Sequence, residues 1–564
     1  MKFEEYEYKR PNLEEIEKEF LGYLDEFKQA DTYEEQDEAM KNIYENRNYT
    51  DTMANLVYIR HSIDTNDEYY KEEQDFIDEL EPHLKKLQSK FYQELVQSKF
   101  RSELEEKWGN QLFGLAESQL KTFSDDILQD LQQENKLSSE YTKLVASAKI
   151  DFDGKEYTLA QLQPLMESTD RDVRKRANEA RFQFFSGNGE KFDHIYDDLV
   201  KLRDKMAKKL GFSNFIELGY ARMNRLDYDA KMVEVFRDQV VKSIVPVASK
   251  LYERQKNRIA LDTLKYYDEP VEFTSGNAVP KGDPEWIVHN GKQMYKELSN
   301  ETDEFYQFMI EKNLLDLLAK KGKAAGGYCT YIADYQSPYI FANFNGTADD
   351  LRVLTHEVGH AFQVFMSRSF EVTEYQFPTY ESCEIHSMSM EFFTWPWMEL
   401  FFKEDTEKYK FSHLAGALLF IPYGVAVDEF QHFVYGNPEA SPVERRQAWR
   451  KIEKKYLPHR DYDGNEYLES GGFWQKQGHI YNSPFYYIDY TLAQICALQF
   501  WKRLHEKKEE AWENYLNLCK QGGSKSFLAL VEEAKLQSPF EEGCVKEVVN
   551  DIEAWLNSVN DQAL

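Results

Sequence analysis

From about residue 10 to residue 150, apolar side chains recur every three to four positions among Glu, Lys and Gln, with few glycines. That spacing predicts a succession of amphipathic helices. One stripe, Phe76, Leu80, Leu84, Leu87, Phe91 and Leu95, holds its period across Pro82, which predicts a helix start or a kink at the proline. No heptad is sustained, so these stripes predict antiparallel helix packing rather than a coiled coil. The pattern changes at Asp151-Phe-Asp-Gly-Lys-Glu-Tyr-Thr158, a short hairpin built on an Asp-Gly turn, with another helix from about Leu159. This is the boundary the N-terminal side offers, and it divides the chain into an N-terminal helical region, 1–175, and a larger region, 176–564. The charged run Asp170 to Arg176 is mixed in sign and predicts a solvated helix face.

Helical periodicity continues to Tyr267 and gives way to a loop carrying Pro270, Gly276, Pro280, Gly282 and Pro284. Gly326 to Ile332 and Pro338 to Phe344 have strand chemistry and predict a small sheet. If the second of these is an edge strand, its free backbone groups could hold an extended peptide. The longest apolar run, Leu414 to Val427, is interrupted by Pro422. It predicts a core helix entered past the proline, too short to span a bilayer. Gly471-Gly472 predicts a mobile, lid-like stretch leading to His479, and the last eighty or so residues return to amphipathic helices.

Composition narrows the function. A chain of 564 residues, 42% hydrophobic, can bury a large core. A formal charge of −31 argues against nucleic acid and anionic membranes as partners, because phosphate binding needs basic patches. Five widely spaced cysteines without a Cys-x-x-Cys pair predict no disulfide framework. The N-terminal residues Met1 to Tyr8 carry no apolar signal core, so the expected location is cytoplasmic. Oligomeric state is not legible.

The chemistry concentrates between Thr347 and Glu391. His356-Glu357-Val-Gly-His360 places two imidazoles four residues apart, on one face of a helix, where both can reach one metal ion. Thr347 with Asp350 forms a near capping box, and Val353, Leu354, Val358, Ala361, Phe362 and Phe365 supply an apolar stripe that would pack this helix rigidly. A catalytic zinc needs a third protein ligand and an open position. Gln363 and Met366 stand where a metzincin would carry its further motif residues, which leaves a glutamate. Glu384, on a second helix from Tyr380 to Trp395 closed by Pro396, is read as that ligand, and Glu391, two turns on, as a carboxylate orienting a ligand histidine. His386 points away from the ligand face, and Cys383 reads as a buried structural thiol.

His356-Glu357-Val-Gly-His360 followed by Glu384, the lead-in from Tyr339 to Asp350, and the segment His479 to Tyr490 together resemble the thimet oligopeptidase and oligoendopeptidase F family of zinc peptidases. The resemblance spans roughly the last two thirds of the chain. It implies a mainly α fold with two helical lobes enclosing a deep substrate channel and a small β-sheet beside the zinc helix. It also implies that His479 and nearby tyrosines bind substrate and the developing oxyanion, and Tyr487 and Tyr490 are favoured here over Tyr486. Many relatives have a further histidine where this chain has Gln363, which bears on substrate contacts near that helix.

The expected activity is zinc-dependent endopeptidase cleavage of short unfolded oligopeptides. One Zn2+ per chain would be held by His356, His360 and Glu384, with Glu357 as general base and acid. Two alternatives remain at this stage. A peptidyl-dipeptidase or carboxypeptidase on the same scaffold would need a cationic grip on the substrate's C-terminal carboxylate. A non-catalytic peptide-binding protein would hold a closed metal site.

Overall fold

A computed structural model describes residues 1–564 apart from 160, 321 and 325. The described chain is almost wholly helical, with a two-stranded hairpin and one three-stranded sheet. Side-chain caps start many of the helices: Asn12, Thr32, Asp67, Asp170 and Asp229 each accept one or two first-turn N–H groups.

Packing resolves into two main bodies. The smaller is N-terminal and is built on Ile16, Phe20, Phe27, Ile43, Phe91 and Phe113, joined by Val372 and Tyr375 from far along the chain. The larger core takes residues from Phe3 to Leu556 and contains the functional helices. Between them lies an open cavity of about 930 Å³, lined by Gln88 and Tyr92 on one side and by His356 and Glu384 on the other. This is the lobed, channelled, mainly α architecture that the sequence implied. The hairpin also forms, pairing Ile150–Phe152 with Lys155–Tyr157, and both Asp153 and Gly154 adopt positive φ at its turn.

Pro82, expected to mark a helix start or a kink, and Pro422, expected at a helix entry, both lie inside helices. The helix Glu68–Val96 runs through Pro82, and the long helix Thr406–Gly436 runs through Pro422. Tertiary burial outweighs the lost backbone bond, since Ile77, Leu80 and Leu87 around Pro82 and Leu418, Ile421 and Val425 around Pro422 are all buried. The long helix has the length and apolarity to cross a membrane, yet it packs in the protein core against the helix Tyr487–Glu506.

The sheet corrects another expectation. Its strand order is Leu315–Leu318, Ser337–Phe344, Tyr328–Ile332, so Ser337–Phe344 is central and the free edge beside the cavity belongs to Tyr328–Ile332. The central strand shows no period-two alternation because seven of its eight residues are buried. The charged run from Asp170 is likewise not all solvated: Arg174 is buried and donates to Asp268 Oδ1 at 2.7 Å. Gly471 and Gly472 are close-packing positions, where a Cβ would meet the Arg446 carbonyl at 2.0 Å or the Tyr467 ring at 2.4 Å, and the segment Phe473 to Gln475 is buried.

Candidate active site

The motif helix is Asp349–Ser367. Its start differs from the expected capping box. Asp350 accepts the backbone N–H groups of Asn345 and Gly346, both at 2.8 Å, while Thr347 donates to Asn345 Oδ1 and its Oγ1 accepts only the Asp349 N–H, at 3.3 Å, so the reciprocal box does not form. Leu351, Leu354, Val358, Ala361, Phe362 and Phe365 are buried, which leaves His356 and His360 on the face toward the cavity with ring centroids 5.0 Å apart.

The glutamate helix, Tyr380–Phe393, packs directly on this one. Gly359 makes that possible, because a Cβ there would lie 2.6 Å from the His386 carbonyl oxygen and from Ser387 Cα. The close approach brings Glu384 Oε2 to 3.2 Å from His356 Nε2 and 3.5 Å from His360 Nε2. One ligand atom from each of the three residues lies within 4.8 Å of the others. Two imidazoles and one carboxylate converge on one point, with the cavity opposite, a donor set that could hold a metal ion and leave a position open. Burial alone would raise the pKa of Glu384 and favour its protonated form, but the charges and hydrogen bonds of His360 and His356 hold it well below the ordinary carboxylate range.

A hydrogen-bonded relay sets the tautomer of His356. Trp395 Nε1 donates to His413 Nδ1 at 2.8 Å, so His413 Nε2 carries the proton that reaches Glu391 Oε2 at 2.8 Å. Glu391 Oε1 then accepts from His356 Nδ1 at 2.8 Å, leaving the His356 Nε2 lone pair for the metal. Against the cost of burial, the bonds from His356 and His413 hold Glu391 at about 2. The geometry matches the orienting position expected of Glu391; His413 and Trp395 carry no local sequence signal, since both arrive from beyond the motif.

Glu357 is buried, and its Oε2 has no hydrogen-bond partner among the described residues. Burial, opposed by the charges of His356 and His360, pushes its carboxyl above the ordinary range. Gly327 runs beside it, with room for a Cβ only 3.6 Å from Glu357 Oε1. Cys383 is half-buried on the cavity wall with its thiol donating to the Pro378 carbonyl, rather than fully buried, and all five cysteines are free. His386 is buried with Nδ1 donating to the Ser382 carbonyl at 2.7 Å. Gln363 is buried and donates to Ser367 and to the Gln376 carbonyl, so it faces the interior and not the cavity.

The opposite wall comes from the C-terminal segment. His479 lies in a short helix, Gly478–Asn482, and Gln477 Nε2 donates to its Nδ1 at 2.8 Å. Its Nε2 is therefore the protonated nitrogen, 3.4 Å from the Tyr490 hydroxyl, and burial lowers its affinity for a second proton. Tyr486, immediately before the tyrosine helix Tyr487–Glu506, donates its hydroxyl to Glu384 Oε1 at 2.8 Å. Tyr486 and Tyr490 line the cavity. Tyr487, favoured from sequence, packs its ring against Phe420, Tyr423 and His479. The difference is one of register: 486 and 490 are separated by one helical turn and share a face, whereas 487 turns about 100° away from 486.

The model of the peptidase M3 N-terminal domain matches residues 3–123, and that of peptidase family M3 matches residues 164–274 and 287–549. An oligoendopeptidase F homolog of Borreliella burgdorferi is 26% identical over 70% of this chain and 69% of its own length. Oligopeptidase PepF of Bacillus subtilis is 23% identical over 72% of this chain and 62% of its own. The solved structure of PZ peptidase A with an inhibitor superposes over the whole of both chains, with a TM-score of 0.96 and 65% identity. The chain belongs to peptidase family M3, as a metallo-oligopeptidase of the oligoendopeptidase F kind.

Proposed function

We propose that the protein is a zinc-dependent oligoendopeptidase that cleaves internal bonds of short, unfolded peptides in the cytoplasm. The observation that carries this reading is the convergence of His356, His360 and Glu384 beside the buried, unpartnered carboxyl oxygen of Glu357. His356 and His360 through Nε2 and Glu384 through Oε2 would hold the metal. Zinc in that position supplies a Lewis acid that acidifies water and polarises a carbonyl.

The remaining chemistry belongs to side chains of this chain. Glu357, whose burial raises its basicity, takes the proton of the attacking water and returns it to the leaving amine. Tyr486 and Tyr490 present phenol hydroxyls toward the side where the carbonyl oxygen gains charge, and His479 stands behind them with its protonated Nε2 3.4 Å from the Tyr490 hydroxyl, so that it acts through Tyr490. Tyr487 is placed to support His479 from behind. An extended substrate can add to the strand edge at Tyr328 and Cys329, which line the cavity; farther along, the Tyr331 carbonyl already accepts from Asn55 Nδ2 at 3.0 Å. Among the described lining residues the two cations are already engaged, Lys85 with Glu81 and Arg222 with Glu134. Arg222 is held by the buried Glu134, and Lys85 offers only an exposed surface charge, so the lining favours internal cleavage over the exopeptidase alternative.

The test is turnover of an internally quenched peptide, blocked at both ends, by wild type and Glu357→Gln, with metal content measured for each. The expected result is one zinc per chain in both and a loss of about 10²–10⁴ in kcat for the variant. Unchanged cleavage by the variant, or an intact blocked peptide with wild type, overturns the reading.

A further inference from the structure

We propose that Arg225 is a positioning residue: it bonds the Phe485 carbonyl on one side of Tyr486 and the Asp489 carboxylate on the other, and so fixes the phenol that meets Glu384. The proposal rests on the reading of Tyr486 as an oxyanion donor given above.

Tyr486 follows Phe485, a bulky aromatic residue at φ +69°. Such a side chain does not choose the left-handed region by itself; surrounding structure must impose it. Three contacts do so here. The Phe485 N–H donates to Gln431 Oε1 at 2.8 Å. Its carbonyl oxygen accepts from Arg225 Nη2 at 2.5 Å. Its fully buried ring packs among Phe215, Tyr220, His432 and Tyr435, and presses so closely on Gly219 that a Cβ there would sit 2.6 Å from Phe485 Cδ2.

Arg225 also holds the far side. The same Nη2 donates to Asp489 Oδ1 at 2.7 Å, in the first turn of the tyrosine helix. Residues 485 and 489 therefore bracket Tyr486, and one guanidinium is bonded to both. The Arg225 side chain is wholly removed from solvent. Its guanidinium carbon lies 4.4 Å from the Tyr220 ring centroid and 5.4 Å from that of Tyr228, between two aromatic neighbours. A planar, permanently charged group suits that slot, whereas an ammonium would need to be hydrated. Arg225 does not line the cavity, although Met223 and Asn224 before it do, so its influence on catalysis passes through Tyr486.

An ordinary core ion pair would affect stability alike whether or not Tyr486 keeps its hydroxyl. A positioning residue would not, and a double-mutant cycle on kcat separates the two. The variants are Arg225→Met, Gly219→Ala and Tyr486→Phe, singly and with Tyr486→Phe as background, each assayed as the zinc-loaded full chain on the blocked quenched peptide. Gly219→Ala disturbs Phe485 from its ring side and serves if Arg225→Met does not fold. Arg225→Lys keeps the charge and is expected to recover part of the loss.

Displacing the phenol by about an ångström is expected to lower kcat roughly tenfold to a hundredfold with zinc content unchanged and KM altered less than about threefold. In the Tyr486→Phe background the same changes are expected to cost less than about threefold. If both losses persist undiminished in that background, or if neither variant lowers kcat, the positioning proposal is overturned. If Tyr486→Phe alone leaves kcat unchanged, the fault lies in the assignment of Tyr486 and the proposal falls with it.

Discussion

The metal wall and the phenol wall face each other across one cavity, but they are held in place by different means. The metal wall is local. His356 and His360 are set by the pitch of a single helix, and Gly359 on the same turn admits the neighbouring helix that delivers Glu384. The phenol wall is assembled at long range. Tyr486 sits at a left-handed junction held by Gln431, Arg225 and Gly219, three residues from other segments. A site of the first kind tolerates change elsewhere in the fold; one of the second kind depends on distant side chains that touch no substrate.

The sharpest way to separate the walls is to remove one hydroxyl. Tyr486→Phe is expected to lower kcat by about 10²–10³ while retaining zinc, whereas Tyr487→Phe should stay within about threefold of wild type. Steady-state kinetics with metal analysis would decide it, and equal effects at 486 and 487 would erase the register difference. A smaller effect is expected on the metal wall. Glu391→Gln replaces the carboxylate between His356 and His413, and zinc affinity should fall about ten- to a hundredfold, as measured by chelator competition. An unchanged affinity would mean that His356 needs no orienting partner.

The smallest effect belongs to the seam joining the walls. Glu381, one turn before Glu384, is buried, and burial followed by the charge of Asp489 pushes its carboxyl up to about 8. Its unfolded value lies near the ordinary 4.5, so between those two values the folded state retains a proton that the unfolded chain has lost. Stability from this group is therefore full below about pH 4.5 and declines as pH rises toward 8. Glu381→Gln cannot ionise and should melt progressively higher than wild type as pH is raised from 5 to about 8.5. A difference in Tm that stays flat with pH would refute the assignment.

This contrast also explains what could be read from the chain. The helical class, the hairpin at 151–158 and the His356–Glu384 geometry depend on spacings within a turn or two, and such spacings are visible in sequence. Pro422 misled, and of the two readings of Pro82 the helix start fails, because a buried helix can absorb a proline that an isolated one could not. Ser337–Phe344 reads as a strand, but its central place follows from a partner, Leu315–Leu318, four residues too few to carry a strand pattern of their own. His413 reaches Glu391 from another helix, and no local pattern marks it. Arg225 was one arginine among many, because its meaning lies in a carbonyl some 260 positions away.

The free edge of Tyr328–Ile332 has a consequence for substrate choice. A strand edge engages amide groups, which every peptide presents in the same rhythm, and it is indifferent to the letters hung on them. Selection at such an edge turns on whether a chain can lie flat and offer its N–H groups. Under the binding mode proposed above, a chain that cannot extend finds no hold there, and fragments of different sequence can share one groove.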